Sequence, residues 1–132
     1  MIFTNDAHRD FYNTETAAQK ADCYTKALIY TLGMCDDTRR NFGQLYNKSE
    51  RRIVPDSLNA CWQTGTSVKV TRLAFNLFTD GTPTACTYDE PNNRVLEDYN
   101  ECRRYSVSDI FCCGYAPYFI EAIRVRYPEY MQ

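Results

Sequence analysis

The sequence predicts an all-α fold, organised as one compact domain of about six to seven helices. Apolar residues recur at helical spacing along most of the chain, and capping residues, glycines and prolines divide it into helix-sized segments. A length of 132 residues suits a single domain that buries roughly two thirds of its unfolded surface. We therefore treat residues 1–132 as one helical domain, with an irregular or short-hairpin excursion at residues 82–100.

The pattern of capping and apolar residues before Gly33 predicts two helices. Thr4 or Asn5 can cap a short first helix. Thr14 or Thr16 can cap a longer second helix that ends at Gly33. The apolar stripe of that second helix consists of Ala17, Ala21, Tyr24, Leu28 and Leu32.

The next segment predicts two shorter helices. Asp36 and Asp37 supply negative charge at a helix start. The buried stripe of that helix consists of Phe42, Leu45 and Tyr46. A further short helix is expected to begin after Pro55.

The segment TSVKVTRLAFNLFTDG shows the clearest helical pattern. Ser67 begins it and Gly81 ends it. Its apolar stripe consists of Val70, Leu73, Ala74, Leu77 and Phe78, opposite a polar face of Lys69, Arg72 and Asn76. We expect this helix to lie at the centre of the fold, between the long N-terminal helix and the C-terminal one.

Periodicity disappears between Thr82 and Asn100, where TACTY and RVLEDY can at best pair as a short hairpin. Beyond it, Ser106 and Asp109 fit the start of a short helix that ends at Gly114. Pro117 begins a last helix, which stops before Pro128. On this interpretation Cys112 and Cys113 lie within a helix and point about 100° apart.

The spacing of the cysteines predicts neither a disulfide framework nor a metal site. The seven cysteines form no Cys-x-x-Cys pair, and the single histidine, His8, has no ligand partner near it. We expect reduced thiols, no metal and no cofactor. The start MIFTNDAHRD carries no signal-peptide pattern, and no apolar run is long enough to span a membrane, so we expect a cytoplasmic protein without membrane contact.

Three segments carry a resemblance: DCYTKALIYTLGMCDDTRRNFGQLYN, LNACWQTGTSVKVTRLAFNLF and SDIFCCGYAPYFIEAIRVRYPEY. They resemble an uncharacterised bacterial family, a domain of unknown function found in gut-type anaerobes and often on their mobile elements. The resemblance covers most of the chain outside residues 80–104. It implies a small cytoplasmic accessory protein of a mobile element or its host, a setting whose genes often encode inhibitors of host defence or regulators. It implies no catalytic residue.

Charge is distributed unevenly along the chain. Residues 39–72 hold seven basic and two acidic side chains, whereas the whole chain has a net charge of −2. A local net charge of +5 predicts a patch that binds an acidic surface on a protein partner. The predicted binding residues are Arg39, Arg40, Arg51, Arg52, Lys69, Arg72 and Trp62, with Lys48 in the same block.

Two alternatives to protein binding stay open. The segment around Gly65 can form a helix-turn-helix that reads DNA with Lys69 and Arg72, although a sequence pI of 5.4 makes nucleic acid a less natural partner. A pocket that sequesters a nucleotide can instead hold phosphate with Arg39, Arg40 or Arg72 beside tyrosine rings.

An enzyme is not expected. No Gly-rich phosphate loop or nucleophile motif is present, and the sole general-base candidate is His8 beside Asp6 or Asp10. A lone histidine in a first helix is more simply a surface residue. The eleven tyrosines, several near the C-terminus, suit either an interface or the edge of a core.

Overall fold

The structure is a computed structural model that describes residues 1–90, 93–95 and 99–132. Within these residues it contains eight α-helices, which confirms the all-α prediction. The helices are α1 Asp6–Gln19, α2 Cys23–Gly33, α3 Asp36–Arg40, α4 Phe42–Leu45, α5 Gly65–Thr79, α6 Tyr99–Cys102, α7 Val107–Ile110 and α8 Ala116–Arg126. Short 3-10 helices span Pro55–Asn59, Arg103–Tyr105 and Pro128–Tyr130.

The first two helices divide at a different point from the one predicted. The side chain of Asn5 caps α1 as expected, but α1 continues through Thr14 and Thr16 to a left-handed residue, Lys20, at φ 49°. Asp22 then accepts from the backbone N–H of Thr25 and starts α2. The predicted stripe from Ala17 to Leu32 therefore belongs to two helices.

Helix α2 lies at the centre of the fold, packed against α1, α5 and α8. Every residue from Ala27 to Gly33 is buried. A helix that is apolar on all sides is expected to be buried on all sides, and α2 has Lys26 as its only charged residue. The Ser67 helix packs against α2 and α8, as expected, but the central position between α1, α5 and α8 belongs to α2.

Helix α3, helix α4 and a small hairpin replace the single helix predicted after Asp36. Strand β1, Tyr46–Asn47, pairs antiparallel with β2, Arg52–Ile53, so that Tyr46 lies opposite Ile53. Phe42, Leu45 and Tyr46 are buried, as their pattern predicts. The segment after Pro55 forms a 3-10 turn rather than an α-helix.

Helix α5 carries the predicted apolar stripe. Val70, Leu73, Ala74 and Leu77 are buried, and Phe78 packs against the core from a half-buried position. Thr64 caps the helix, and Ser67 completes a capping box by accepting from the backbone N–H of Thr64. Ser67 thus lies inside the helix, three residues after its cap.

The excursion contains the expected hairpin. Strand β3, Thr87–Glu90, pairs antiparallel with β4, Asn93–Val95, and Thr87 lies opposite Val95. Pro91, Asn92 and residues 96–98 lie outside the described residues.

The C-terminal region confirms its predicted starts but not the placement of its cysteines. Ser106 caps α7 by accepting from the backbone N–H of Asp109, and a proline opens α8. Helix α7 ends at Ile110, so Cys112 and Cys113 lie in the bend between α7 and α8 and not within a helix. All seven cysteines are free thiols.

Candidate functional site

The predicted basic block does not form one patch, because part of it stabilises the fold. Arg39 donates from Nη1 to the carbonyl of Gly33, at 2.8 Å, and pairs through Nη2 with Asp36. Lys48 lies 2.9 Å from the Glu15 carboxylate. Arg39 and Lys48 therefore bind acceptors within the chain, whereas the prediction placed them on a basic surface open to a partner.

Three other predicted arginines are solvent-exposed. Arg40 ends α3, whereas Arg51 and Arg52 lie in and beside the turn of the β1–β2 hairpin. Arg51 has a φ of 54°, and Arg52 lies 3.6 Å from Glu50. Arg40, Arg51 and Arg52 are therefore exposed to solvent, and none of them is among the residues that line the depression beside Lys69 and Arg72.

Trp62 is half-buried and packs against the hydrophobic core. Its Nε1–H donates to Oε1 of Gln44 in α4, at 3.0 Å. This position suits a structural anchor, and Trp62 does not line the same depression as Lys69 and Arg72.

Lys69 and Arg72 are brought together one turn apart on α5. The Lys69 ammonium donates to the carbonyl of Asp109, at 3.0 Å, and lies 2.8 Å from Sγ of Cys112. Arg72 pairs through Nη2 with Glu101, at 3.0 Å, and its side chain is only 15% exposed. Residues 73–101 hold six acidic side chains and one basic side chain. Glu101 is one of the six, so part of this acidic segment neutralises part of the basic block.

An open groove of about 310 Å³ runs beside Lys69 and Arg72. Its lining residues are Gly65, Val68, Lys69, Arg72, Glu101, Arg104 and Asp109. A second depression of similar size shares Arg104 and Asp109 with it and adds Asn100 and Arg103. We call this surface the cationic groove and define its cations as Lys69, Arg72, Arg103 and Arg104.

The two arginines from outside α5 complete the groove. Arg103 and Arg104 lie on the 3-10 helix Arg103–Tyr105, are exposed, and make no ion pair with a carboxylate in the described part of the chain. The sequence interpretation missed them because the last quarter of the chain is nearly neutral. Their one signal was the adjacent pair in RRY, and only the fold places it beside α5.

A smaller hollow of about 120 Å³ adjoins the groove under Arg72. Tyr105 lines it and donates its hydroxyl to the carbonyl of Pro83. Burial raises the pKa of Tyr105 above its usual range, so this phenol stays neutral. An arginine therefore lies beside a tyrosine ring, as the nucleotide alternative requires, although Arg39 and Arg40 do not contribute.

The geometry disfavours the DNA-binding alternative. Helix α5 packs against α2, α3, α7 and α8 and does not protrude. A recognition helix must enter the major groove with an exposed face. Gly65 is the first residue of α5, so it does not form the turn between two helices.

His8 is fully buried, which corrects its assignment as a surface residue. Its Nε2 lies 2.7 Å from the Tyr30 carbonyl and its Nδ1 accepts from the Thr4 backbone N–H at 3.1 Å. Burial lowers the pKa of His8 to about 4, with a smaller contribution from Arg39. Buried in this way, His8 is a structural residue with no access to a substrate, and Asp6 pairs instead with Arg9.

No three His, Cys, Asp or Glu side chains of the described residues cluster in a way that could hold a metal ion. Among the same residues, no helix combines the length and apolar character needed to cross a membrane.

The model of a family described as a family of unknown function (DUF6075) matches residues 1–132. No curated protein and no solved structure matches the chain.

Proposed function

The chain belongs to the family of unknown function DUF6075, and we propose that it is a non-enzymatic binding module that holds an acidic surface of a partner protein in its cationic groove. The observation that carries this proposal is the pair of exposed arginines, Arg103 and Arg104, which make no ion pair within the described residues and lie beside the two half-buried cations of α5. Unpaired cations at a concave surface attract and orient an acidic partner.

Exposed apolar side chains near the groove support a protein as the partner. Tyr99 and Val107 are 82% and 72% exposed, and they flank Arg103 and Arg104 in sequence. Tyrosine and arginine are enriched at protein interfaces, where a rigid ring buries area at low entropic cost. A segment that exposes both types at once suits an interface better than plain solvated surface.

The carboxylates in the groove also favour a protein over a polyanion. Glu101 and Asp109 line it together with the cations. A phosphate chain would be repelled by both carboxylates, whereas a protein surface can place acidic groups at the arginines and donors at the carboxylates.

A phosphate-bearing small molecule is the second candidate, supported by Arg72 and Tyr105 in the adjoining hollow. A nucleotide and a protein partner can be distinguished by a competition experiment. Millimolar nucleotide would displace the partner if the hollow were the binding site, and would leave capture unchanged if the exposed arginines hold a protein surface.

The test compares two double charge reversals that alter net charge equally. Arg103→Glu with Arg104→Glu changes the groove, and Arg51→Glu with Arg52→Glu changes the hairpin. The wild-type chain is used to capture partners from its native host, the captured protein is identified by mass spectrometry, and its affinity is then measured at rising salt. We expect the groove variant to weaken binding roughly tenfold or more and to flatten the salt dependence, with the hairpin variant unchanged.

Circular dichroism of both variants establishes that the fold is retained. Loss of binding in the hairpin variant alone would move the site to Arg51 and Arg52. Unchanged affinity in both variants would show that neither basic surface binds the partner.

A further inference from the structure

Lys69 and Cys112 lie in unusually close contact across two elements of the fold. The Lys69 Nζ is 2.8 Å from the Cys112 Sγ, although 43 positions separate the residues in sequence. An ordinary N–H···O hydrogen bond measures roughly 2.9–3.0 Å, and sulfur is a larger acceptor than oxygen. The nitrogen and the sulfur are thus closer than a simple hydrogen bond between them requires.

The surroundings hold the nitrogen at the sulfur. Lys69 donates to the carbonyl of Asp109, at 3.0 Å, and the Cys112 sulfur itself lies 3.7 Å from the same carbonyl. A lysine that is fixed at one end by a backbone acceptor samples few other positions. The amine is therefore pre-positioned for reaction with Cys112.

Solvent reaches the sulfur. Cys112 is exposed, and Lys69 lines the open cationic groove together with Arg104. Oxidants attack the thiolate form, and cysteines that are oxidised selectively are solvent-accessible and have cationic neighbours. Cys112 combines both features.

We propose that Cys112 and Lys69 form an oxidation site, at which hydrogen peroxide leads to a covalent sulfur–nitrogen bond between the two side chains. In the first step the thiolate attacks peroxide, the O–O bond breaks, and Cys112 becomes a sulfenic acid. The hydroxide that leaves takes a proton from the Lys69 ammonium and is released as water, which gives the neutral amine of Lys69. In the second step the neutral amine of Lys69 attacks the sulfur. The S–O bond breaks and the hydroxyl leaves as a second water with one proton from the amine.

The net reaction consumes one peroxide and removes two hydrogens from the protein. Sulfur is oxidised by two electrons and peroxide is reduced to water. Sulfenic acids condense with nearby nitrogen in this way to give sulfenamides, which thiols reduce again. The product joins α5 to the bend after α7 and removes the ammonium of Lys69 from the groove.

The other thiols near this bend or at the surface lack the same geometry. Cys113 is half-buried, and its sulfur lies 3.9 Å from the carbonyl of Ile110. A bond between Cys112 and Cys113 would need a strained local backbone. Cys61 is exposed, but within the described residues no lysine or arginine donates a hydrogen bond to its sulfur.

The experiment treats the full chain with a small excess of hydrogen peroxide and reads the products by intact mass and peptide mapping. Before treatment, all seven cysteines should be alkylated. After treatment we expect a loss of about 2 Da, reversed by dithiothreitol, and a joined peptide pair containing Lys69 and Cys112.

Three variants separate this product from its rivals. Cys113→Ser should still give the joined peptides, because it removes only the possible vicinal disulfide. Cys112→Ser should abolish them. Lys69→Arg keeps a cation beside the sulfur but removes the amine, so it should accumulate a sulfenic acid at Cys112 that dimedone traps.

The wild-type peptide map decides the question even if a variant fails to fold. Oxidation confined to a disulfide, or a Cys112 sulfenic acid trapped equally in wild type and Lys69→Arg with no joined peptide, would overturn the proposal. The result does not depend on whether the groove binds a partner, so the two proposals can fail separately.

Discussion

The guanidinium of Arg126 stacks on the ring of Tyr24, with its central carbon 3.5 Å from the ring centre. The same group donates from Nε to the carbonyl of Leu77, at 3.0 Å, and pairs through Nη2 with Asp80, at 3.1 Å. Arg126 is only 6% exposed. Arg126 of α8 thus contacts both the C-terminal end of α5 and the Tyr24 ring of α2.

Replacing Arg126 with lysine tests this contact. Arg126→Lys keeps the charge but loses the planar stacking and the Nε donor to Leu77, since an ammonium is not a planar fork. We expect a loss of about 2 kcal/mol in the free energy of unfolding, measured by urea denaturation. Arg124→Lys is the matched control on the same helix, because that side chain is 59% exposed and should change stability by less than about 0.5 kcal/mol.

Gly33 allows α1 and α2 to approach closely. A Cβ atom at this position would lie 2.7 Å from Cδ1 of Phe11 and 3.0 Å from the His8 ring. Because the neighbouring rings are packed, Gly33→Ala should lower stability by about 1–3 kcal/mol. Gly43→Ala is the control, since a Cβ there meets nothing within 4 Å. Equal stability of the two variants in thermal denaturation would show that α1 can shift without cost.

The helical character of the chain was predictable because it is a local property. Asn5 and Ser106 act as caps where their side chains and the following pattern indicated. The boundary between α1 and α2 was not predictable in the same way. Asp22 competed with Thr14 and Thr16 as a cap, and the left-handed turn at Lys20 has no glycine to mark it.

The candidate site was predictable only in part, because it is assembled by tertiary contacts. The helical pattern placed Lys69 and Arg72 on one face of one helix, and both lie on α5. The pattern could not show that Arg39 is bound by the carbonyl of Gly33, nor that Arg103 and Arg104 fold back towards α5. The charge of a sequence segment does not show which of its cations will form hydrogen bonds or ion pairs within the folded chain.

The apolar stripe of α5 supplies a direct test of the core. Leu73 is 4% exposed and belongs to the hydrophobic cluster. Leu73→Ala should cost about 2–5 kcal/mol through lost burial and the remaining cavity. Ile120→Ala removes a side chain that is 48% exposed, so it should cost far less. A change below about 0.5 kcal/mol for Leu73→Ala in urea denaturation would show that this face is not core.

His8 makes the stability of the fold depend on pH. The carbonyl of Tyr30 can only accept, so Nε2 carries the proton and Nδ1 accepts from the backbone N–H of Thr4. A second proton on Nδ1 would break that bond and place a charge in a site without solvent. Burial accordingly lowers the pKa of His8 from 6.5 to about 4.

The direction of the pH effect follows from the two pKa values. Between pH 6.5 and about 4 the unfolded chain binds a proton at His8 that the folded chain excludes. Stability should therefore be nearly constant above this range and fall as the pH decreases through it, by about 1.6 kcal/mol between pH 6.5 and 5. Urea denaturation at pH 7.5, 6.5, 5.5 and 5 measures the slope of the free energy of unfolding against pH. His8 is the only histidine in the chain, so no other imidazole contributes to this slope.

His8→Asn should be less stable at neutral pH and should lose this slope, because asparagine does not titrate. A wild-type stability that stays flat from pH 6.5 to 5 would show that the folded site accepts the second proton.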